Sequence, residues 1–556
     1  MKKFLAIVLA LACVLSLCAC GGKTGNNGST GNNGGTTAEG KVKLSIGIPS
    51  DAMVLDHKNN ALTKWVEEQC NVDIQFIEFA GGTDVATQIS TTIAARQDLP
   101  DILFGLSLRE SVISRYGEEG YFVDLTDYYA DKEGASKTFW TRLENELSEY
   151  DQGMIVRRIT DNETGSIYCV PTVETSLLDK IAFMPWINQT WLDKLNLKAP
   201  TNPDELFDVL IAFRDKDPNG NGLPDEIPLM GSANSGLSTN VVSWIINMFM
   251  YYDSAKWYNV GADGKVYEQF TQPEYREALK FINKLYKEKL LSSITWTMGG
   301  GELKQMVTPA SGTELCGIVI SHMTTGFAPG NEIMYQYVPL GYWGNVIRND
   351  TTCSLSTFIT ESCDNPDKAF EVLMALWSWE GSMRVRYGEY GVNWTDCDPG
   401  AKSDIGLDAT YKLISDPLMV QNTAKWGKIA SCLNVYAEGE TAQISENMDK
   451  WTATKSKKHA EAYALFLEAE EKTDLSQRLP VLSYTQEEND RVAQYVTNVG
   501  NYRSKALANF CMGVAGFDPN SDTDWNNYLK ELDKLGRDIY LDFIQTGYDR
   551  GREIYG

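Results

Sequence analysis

The most chemically informative run of side chains is Asp215-Lys-Asp217-Pro-Asn219-Gly-Asn221-Gly-Leu223-Pro-Asp225-Glu226. Oxygen-bearing side chains recur at every second position, and Gly220 and Gly222 permit a tight turn between them. A hard cation such as calcium takes about six to eight oxygens at about 2.3–2.6 Å, which a coil of alternating carboxylates and amides supplies. Two registers fit. Starting at Asp215, the loop reads D-x-D-x-N-G-x5-E and ends at Glu226, the EF-hand spacing. Starting at Asp217, it offers Asp217, Asn219, Asn221, the Leu223 carbonyl, Asp225 and Glu226. The second register is preferred. It puts Gly222 at the sixth position, where the turn is needed, and leaves Asp215 in the last turn of a helix. A single loop without a paired partner points to calcium as a structural staple rather than a signal sensor.

No other group of residues has the spacing of a reaction centre. His57, His322 and His459 are the only histidines, far apart in sequence and without an HExxH arrangement; each reads as a surface or satisfied core residue. Gly299-Gly300-Gly301 is not followed by a phosphate-loop pattern, and neither GxxxxGK[ST] nor GxSxG occurs. These absences favour a binder over an enzyme. A glycan hydrolase stays open as an alternative, because the spacing of its two carboxylates is spatial rather than sequential. Aromatic residues supply a binding chemistry. The chain has 14 Trp and 27 Tyr, and aromatic faces stack on the apolar faces of sugar rings while polar neighbours bond the hydroxyls. Candidates in loop-like contexts are Trp186, Trp244, Trp257, Trp296, Tyr342, Trp343 and Trp394. Trp191, Trp377, Trp379 and Trp525 fall at helical positions and read as core.

Charge narrows the partners. With 50 Lys+Arg against 75 Asp+Glu, the net charge is -25, which excludes the basic footprint that nucleic acid requires and weighs against a strongly anionic ligand. The 11 Cys include no CxxC pair, so a zinc ribbon is not expected.

The N-terminus reads as an address. Lys2 and Lys3 precede an uncharged apolar stretch over 4–19, short for a membrane span and suited to a signal peptide over 1–19. It ends Leu17-Cys18-Ala19-Cys20-Gly21, which resembles a bacterial lipobox; that resemblance implies cleavage before Cys20 and lipidation of its thiol. Residues 21–40 are mostly Gly, Asn, Thr and Ser without a large apolar side chain, a flexible tether of about 25 Å root-mean-square span. No later stretch reaches about 18 consecutive apolar residues, so the membrane is contacted only through the lipid.

The elements that must position these residues begin at Lys41. Strand, helix, strand, helix and short strand are expected over Lys41–Pro49, Asn59–Cys70, Val72–Phe79, Asp84–Arg96 and Leu99–Phe104. That order implies a parallel, helix-covered sheet, and a βα rhythm recurs near Gly317–His322 and Ser354–Ile359. Asn202-Pro203-Asp204-Glu205 reads as a capping box, and Asn365-Pro366 and Gln272-Pro273 as similar helix starts. From about Thr485 the chain reads as helical, with breaks near Gly500 and Gly513–Asp524. The length of 556 residues exceeds a single core, so two lobes are expected.

Taken in order, several segments resemble the family 1 extracellular solute-binding proteins of ABC sugar importers. They are Asp98-Leu-Pro-Asp-Ile, Gly120-Tyr-Phe-Val-Asp-Leu-Thr, Ile167-Tyr-Cys-Val-Pro171, Asn188-Gln-Thr-Trp191 with Pro200-Thr-Asn-Pro-Asp-Glu-Leu206, the acidic loop, and Gln545-Thr-Gly-Tyr-Asp-Arg550. The closest likeness is to large, calcium-containing, oligosaccharide-binding members, in which the matching loop holds calcium; this supports the Asp217 register. A departure is Ile187, where many relatives carry Arg. The resemblance implies an α/β, two-lobed periplasmic-binding-protein-like fold (type II-like) with a cleft between lobes and a helical C-terminal region. Lobe 1 is expected over about 41–165 plus part of 345–420, and lobe 2 over about 170–340 plus much of 421–556. It further implies a monomeric, lipid-anchored receptor on the outer face of the cell membrane. That receptor captures a carbohydrate, or alternatively a peptide or other small solute, and delivers it to an ABC permease.

Overall fold

A computed structural model describes residues 40–555 apart from 81–84, 96, 107, 109, 162–163, 175–179, 234–238, 418–419, 428–432, 435–440, 481 and 483. The signal segment, Cys20 and the tether up to residue 39 lie outside the described residues.

The opening of the chain folds as its alternation dictates. Leu44, Ile46 and Ile48 point into a core from the strand Val42–Pro49, which pairs in parallel with Val72–Phe79 from Val42↔Val72 to Pro49↔Phe79. Between them runs the helix Ala61–Gln69, whose cap Asn60 accepts a hydrogen bond from the Leu62 N–H, and which buries Leu62 and Val66 one turn apart. The full sheet has six strands in the order Leu433–Asn434, Val170–Glu174, Thr352–Ile359, Ile102–Leu103, Val42–Pro49, Val72–Phe79. It is mixed rather than parallel. Thr352–Ile359 runs antiparallel to both of its neighbours, because the chain re-enters this sheet from the second one instead of through a crossover helix.

The second sheet has the order Tyr337–Pro339, Pro185–Asn188, Cys316–Ile320, Ile227–Met230. Its faces bury different residues of the same strand: Ile318 and Ile320 join one cluster, Val319 another. The helix Pro203–Asp215 precedes the acidic loop and packs Leu206, Leu210 and Phe213 inward. Asn202 caps it by accepting from the Glu205 N–H. The return half of the expected box is shifted by one residue, since the Glu205 carboxylate accepts from Thr201 instead. Asn365 and Gln272 make no side-chain cap at all. The C-terminal region is helical as expected, but the helix Gln486–Met512 runs unbroken through Gly500. Gly500 serves close packing: a Cβ there would sit 3.2 Å from the Trp257 ring. Left-handed Gly513 ends that helix, and Asp522–Lys534 and Arg537–Tyr555 follow.

Separate cores accompany the two sheets. The first is built from 44–173, 353–385, Trp426 and Leu433; the others from 181–347 and the C-terminal helices. Val170–Glu174 belongs to the first sheet, so the chain leaves that sheet after Glu174. It leaves the second sheet after Pro339 and that body's core after Ile347. The chain passes to the second body a further time between Leu433 and the helix Lys450–Glu470. The first two crossing segments pair with each other: Ala182 N–H donates to the Ile347 carbonyl at 3.2 Å and Asn349 N–H to the Lys180 carbonyl at 2.9 Å, around the antiparallel bridge Ile181↔Arg348. A small third sheet, Trp394–Thr395, Tyr411–Leu413 and Ala442–Ile444, closes over Met383 and Tyr387.

Candidate functional site

The acidic loop folds around Asp217. Its carboxylate accepts backbone N–H groups from Gly220 at 3.0 Å and Asn221 at 3.1 Å on one oxygen, and from Gly222 at 3.0 Å on the other. Asn219 accepts from the Asn221 N–H at 3.0 Å and Asn221 from the Leu223 N–H at 2.7 Å. The amides of Asn219 and Asn221 both reach Asp225 at 3.1 Å. These turns require positive φ at Asp217 (43°), Gly220 (77°) and Gly222 (74°), which glycine adopts freely and Asp tolerates. Asp215 ends the preceding helix, and its carboxylate is held by Arg214 at 2.7 and 3.0 Å. Lys194 fixes the loop from outside by donating to the Pro218 carbonyl at 2.8 Å.

Glu226 is the conspicuous member. Its Oε1 is buried and has no hydrogen-bond partner among the described residues. Burial, and then the carboxylates of Asp217 and Asp225, push its carboxyl above the usual range. A divalent cation would supply this oxygen with a partner and offset the like charges, although among the described residues the carboxylates as placed do not gather three ligands around one point.

The aromatic candidates divide into a buried and a half-buried group. Trp186, Trp244 and Trp394 are at most 2 % exposed, which corrects their reading as ligand-facing loop residues. Trp186 lies in the strand Pro185–Asn188 and donates to the Ser321 carbonyl at 2.6 Å. Trp244 lies in the helix Val241–Ile246, and Trp394 donates to the Gly388 carbonyl at 2.9 Å inside the third sheet's core. The other four are half-buried. Trp257 lies under the Arg503 guanidinium, 3.2 Å from ring centre. Tyr342 donates to the Phe183 carbonyl at 3.0 Å, Trp343 leans on Trp244 at 5.9 Å, and Trp296 ends a 3-10 turn. Trp191, Trp377 and Trp525 are buried, as their helical positions imply. Two histidines distant in sequence do meet, with the His322 and His459 rings 4.8 Å apart.

A cavity of about 460 Å³ opens between the bodies. The first body contributes the helix Glu110–Glu118, the end of the helix Glu149–Ile159, Tyr168, Cys169 and Leu355; Leu482, Tyr484 and Asn489 face them. Leu482 and Tyr484 pack against the second core, and the Tyr484 ring is stacked on Phe543 at 3.9 Å. The lining carries three acidic residues, Glu110, Glu118 and Asp161, against three basic ones, Arg115, Arg157 and Arg158; Arg158 pairs with Glu110, and Ser114 donates to Asp161. Arg157 donates to the Leu482 carbonyl, a hydrogen bond from one body to the other. A matched polar lining with tyrosine faces suits an uncharged, hydroxyl-rich solute better than an ion. None of the seven aromatic candidates lines this cavity. Its walls come from four separate stretches of chain, 110–118, 154–169, Leu355 and 482–489, so no local pattern could have announced it.

No family model matches the chain. The fructooligosaccharide ABC transporter substrate-binding protein FusA of Streptococcus pneumoniae serotype 4 is 24% identical over 565 residues, 98% of this chain and 97% of FusA. The lipoprotein LipO of Bacillus subtilis is 31% identical over 146 residues, 26% of this chain and 27% of LipO. Among solved structures, an S. pneumoniae FusA EF-hand mutant in complex with fructo-nystose superposes with a TM-score of 0.69 at 20% identity, covering 92% of this chain and 99% of that one. An HMO-binding, ABC-transporter-associated solute-binding protein from Bifidobacterium longum infantis gives 0.71 at 20% identity over 92% of this chain and 99% of that one. At this identity the superpositions establish the fold.

Proposed function

We infer that this chain, which shares the substrate-binding-protein fold with these relatives and matches one of them end to end, is the solute receptor of an ABC importer. It captures an oligosaccharide outside the cell and hands it to the permease, with no chemistry of its own. The observation that carries this reading is the FusA match over 98% of the chain. The cavity walled by both bodies supports it physically. A ligand touching two bodies binds their closed arrangement better and shifts its population, which is how a receptor signals that it is loaded. In this reading the two bodies are the two lobes, the protein works as a monomer, and lipidated Cys20 holds it on the outer face of the membrane.

Asp217, Asn219, Asn221, the Leu223 carbonyl, Asp225 and Glu226 would hold calcium, a structural ion that ties the loop to the end of its helix. The orphaned Glu226 oxygen and the FusA EF-hand variant support this assignment.

The test is a screen of neutral and acidic oligosaccharides by tryptophan fluorescence and thermal melting. At a hundredfold excess over Kd, linkage adds about 2.7 kcal/mol of stability, a plain upward shift of the melt. A panel that moves neither signal sinks the carbohydrate assignment.

A further inference from the structure

The two paired crossing segments are tied to the two bodies by different side chains, and on the segment 347–351 the ties change over within one residue step. On the second-body side, Arg348 pairs with Glu470 at 3.0 Å. Asp350 takes Lys256 at 2.8 Å on one oxygen and Arg478 on the other. Lys256 and Arg478 adjoin Trp257 and Leu479, which pack in the second core, and Glu470 follows Ala469 of the neighbouring cluster. On the first-body side, Thr351 donates to Asp151 Oδ1 at 2.6 Å, and Lys180, on the other crossing segment, reaches Asp151 Oδ2 at 3.5 Å. Asp151 stands in the first turn of the helix Glu149–Ile159, which is anchored in the first core by Ile155 and Ile159. Its remaining bond comes from Ser148 at 2.7 Å.

We propose that closure pivots at the Asp350–Thr351 step of this crossing, and that Asp151 is the positioning residue that clamps both crossing segments to the first body. This rests on the reading that the two bodies move against each other. Between a residue held by one body and its neighbour held by the other lies one planar peptide unit. On this segment, relative rotation is therefore taken up by ψ of Asp350 and φ of Thr351, as expected for a hinge in which a few residues absorb the change. Clamping both segments at one carboxylate makes the paired ribbon bend as a unit. Burial opposes the Asp151 charge, but the bonds from Thr351 and Ser148 and the Lys180 ammonium outweigh it and hold the carboxyl below its usual range. The clamp is therefore charged throughout the neutral range.

The experiment uses the mature protein without any ligand. Spin labels on one exposed helix of each body report the inter-body distance distribution by pulsed electron resonance, and hydrogen exchange is read at the Ala182 and Asn349 amides. Asp151→Asn should widen the distribution and raise exchange at those two amides several-fold, while exchange in Val42–Pro49 stays unchanged. Lys180→Met and Thr351→Val, which spare the helix cap, should do the same. Adding Lys180→Met to Asp151→Asn should widen the distribution no further, because one device has already been broken. A melt lowered by Asp151→Asn with the distance distribution and ribbon exchange unmoved would make Asp151 merely structural and overturn the proposal. So would a protection boundary that falls away from the 350–351 step. Neither outcome depends on which solute is bound, so failure here is separable from failure of the receptor reading.

Discussion

Removing the cation from the acidic loop should destabilise the protein by an amount that the loop geometry alone cannot produce. As a purely polar turn, the loop is held by three backbone N–H bonds to Asp217. At about 0.5–1.5 kcal/mol each, and less where exposed, they total about 1–3 kcal/mol. Chelation would leave those bonds intact. A bound ion adds a linkage term: with 1 mM free calcium and a Kd of about 1–10 μM, it is about 2.7–4.1 kcal/mol. Differential scanning calorimetry in excess chelator and in calcium separates the two cases. The wild type should melt higher in calcium. Asp217→Ala should melt lower than the wild type in both buffers and lose the difference between them. Glu226→Gln should shrink that difference while keeping the fold, since the amide offers a weaker oxygen in the same volume. Coincident wild-type melts in the two buffers would refute the cation assignment and leave a turn held only by its own hydrogen bonds.

Other perturbations read separate parts of the structure. Trp186→Ala removes a fully buried ring and its bond to the Ser321 carbonyl; denaturant unfolding should show a loss of about 3–5 kcal/mol, with solute affinity unchanged in the folded fraction. Gly317→Ala would put a Cβ 2.8 Å from the Pro228 carbonyl and against the Phe213 ring, and should cost about 1–3 kcal/mol by the same measurement. Glu488 is gripped by Arg550 through two bonds of 2.6 Å, which with the Thr485 N–H bring its carboxyl down to about 2. A lowered folded pKa means the stabilisation is complete above the unfolded value of about 4.3 and is lost as the pH falls toward the folded one. The stability gap between wild type and Arg550→Gln should therefore be constant from neutral pH down to about 5 and close below it. By the same sign, Asp151 should keep its hinge clamp at neutral pH and release it only below the usual carboxylate range, seen as faster exchange at Asn349.

The fold was legible where short-range pattern decides it. Alternation over Val42–Pro49 and Val72–Phe79 marked two strands and their inward faces, and Asn202-Pro203 marked the helix leading into the acidic loop. The turn of the acidic loop was legible because Asp217, Gly220 and Gly222, which make it, lie within six residues. What failed needed long-range information. The antiparallel strand Thr352–Ile359 depends on where the chain has come from, and Gly500 stays helical because Trp257, from a distant hairpin, packs against it. Trp186, Trp244 and Trp394 failed as ligand-facing candidates for a related reason. Trp186 follows Pro185 and so looks like a loop residue, yet its strand is buried on both faces, where an indole is simply core. The cavity joins residues about 370 positions apart, Ser114 and Tyr484 among them, and only the fold brings these together.

The central claim, that this is a receptor closing on an oligosaccharide, is tested most directly by calorimetric titration of the calcium-loaded mature protein with neutral and acidic oligosaccharides. The account predicts saturable one-to-one binding of at least one neutral oligosaccharide, a negative heat-capacity change from closure of the cavity, and recovery of the sugar chemically intact. Absence of binding across the panel by a cooperatively folded protein, or release of shortened sugar products, would contradict it.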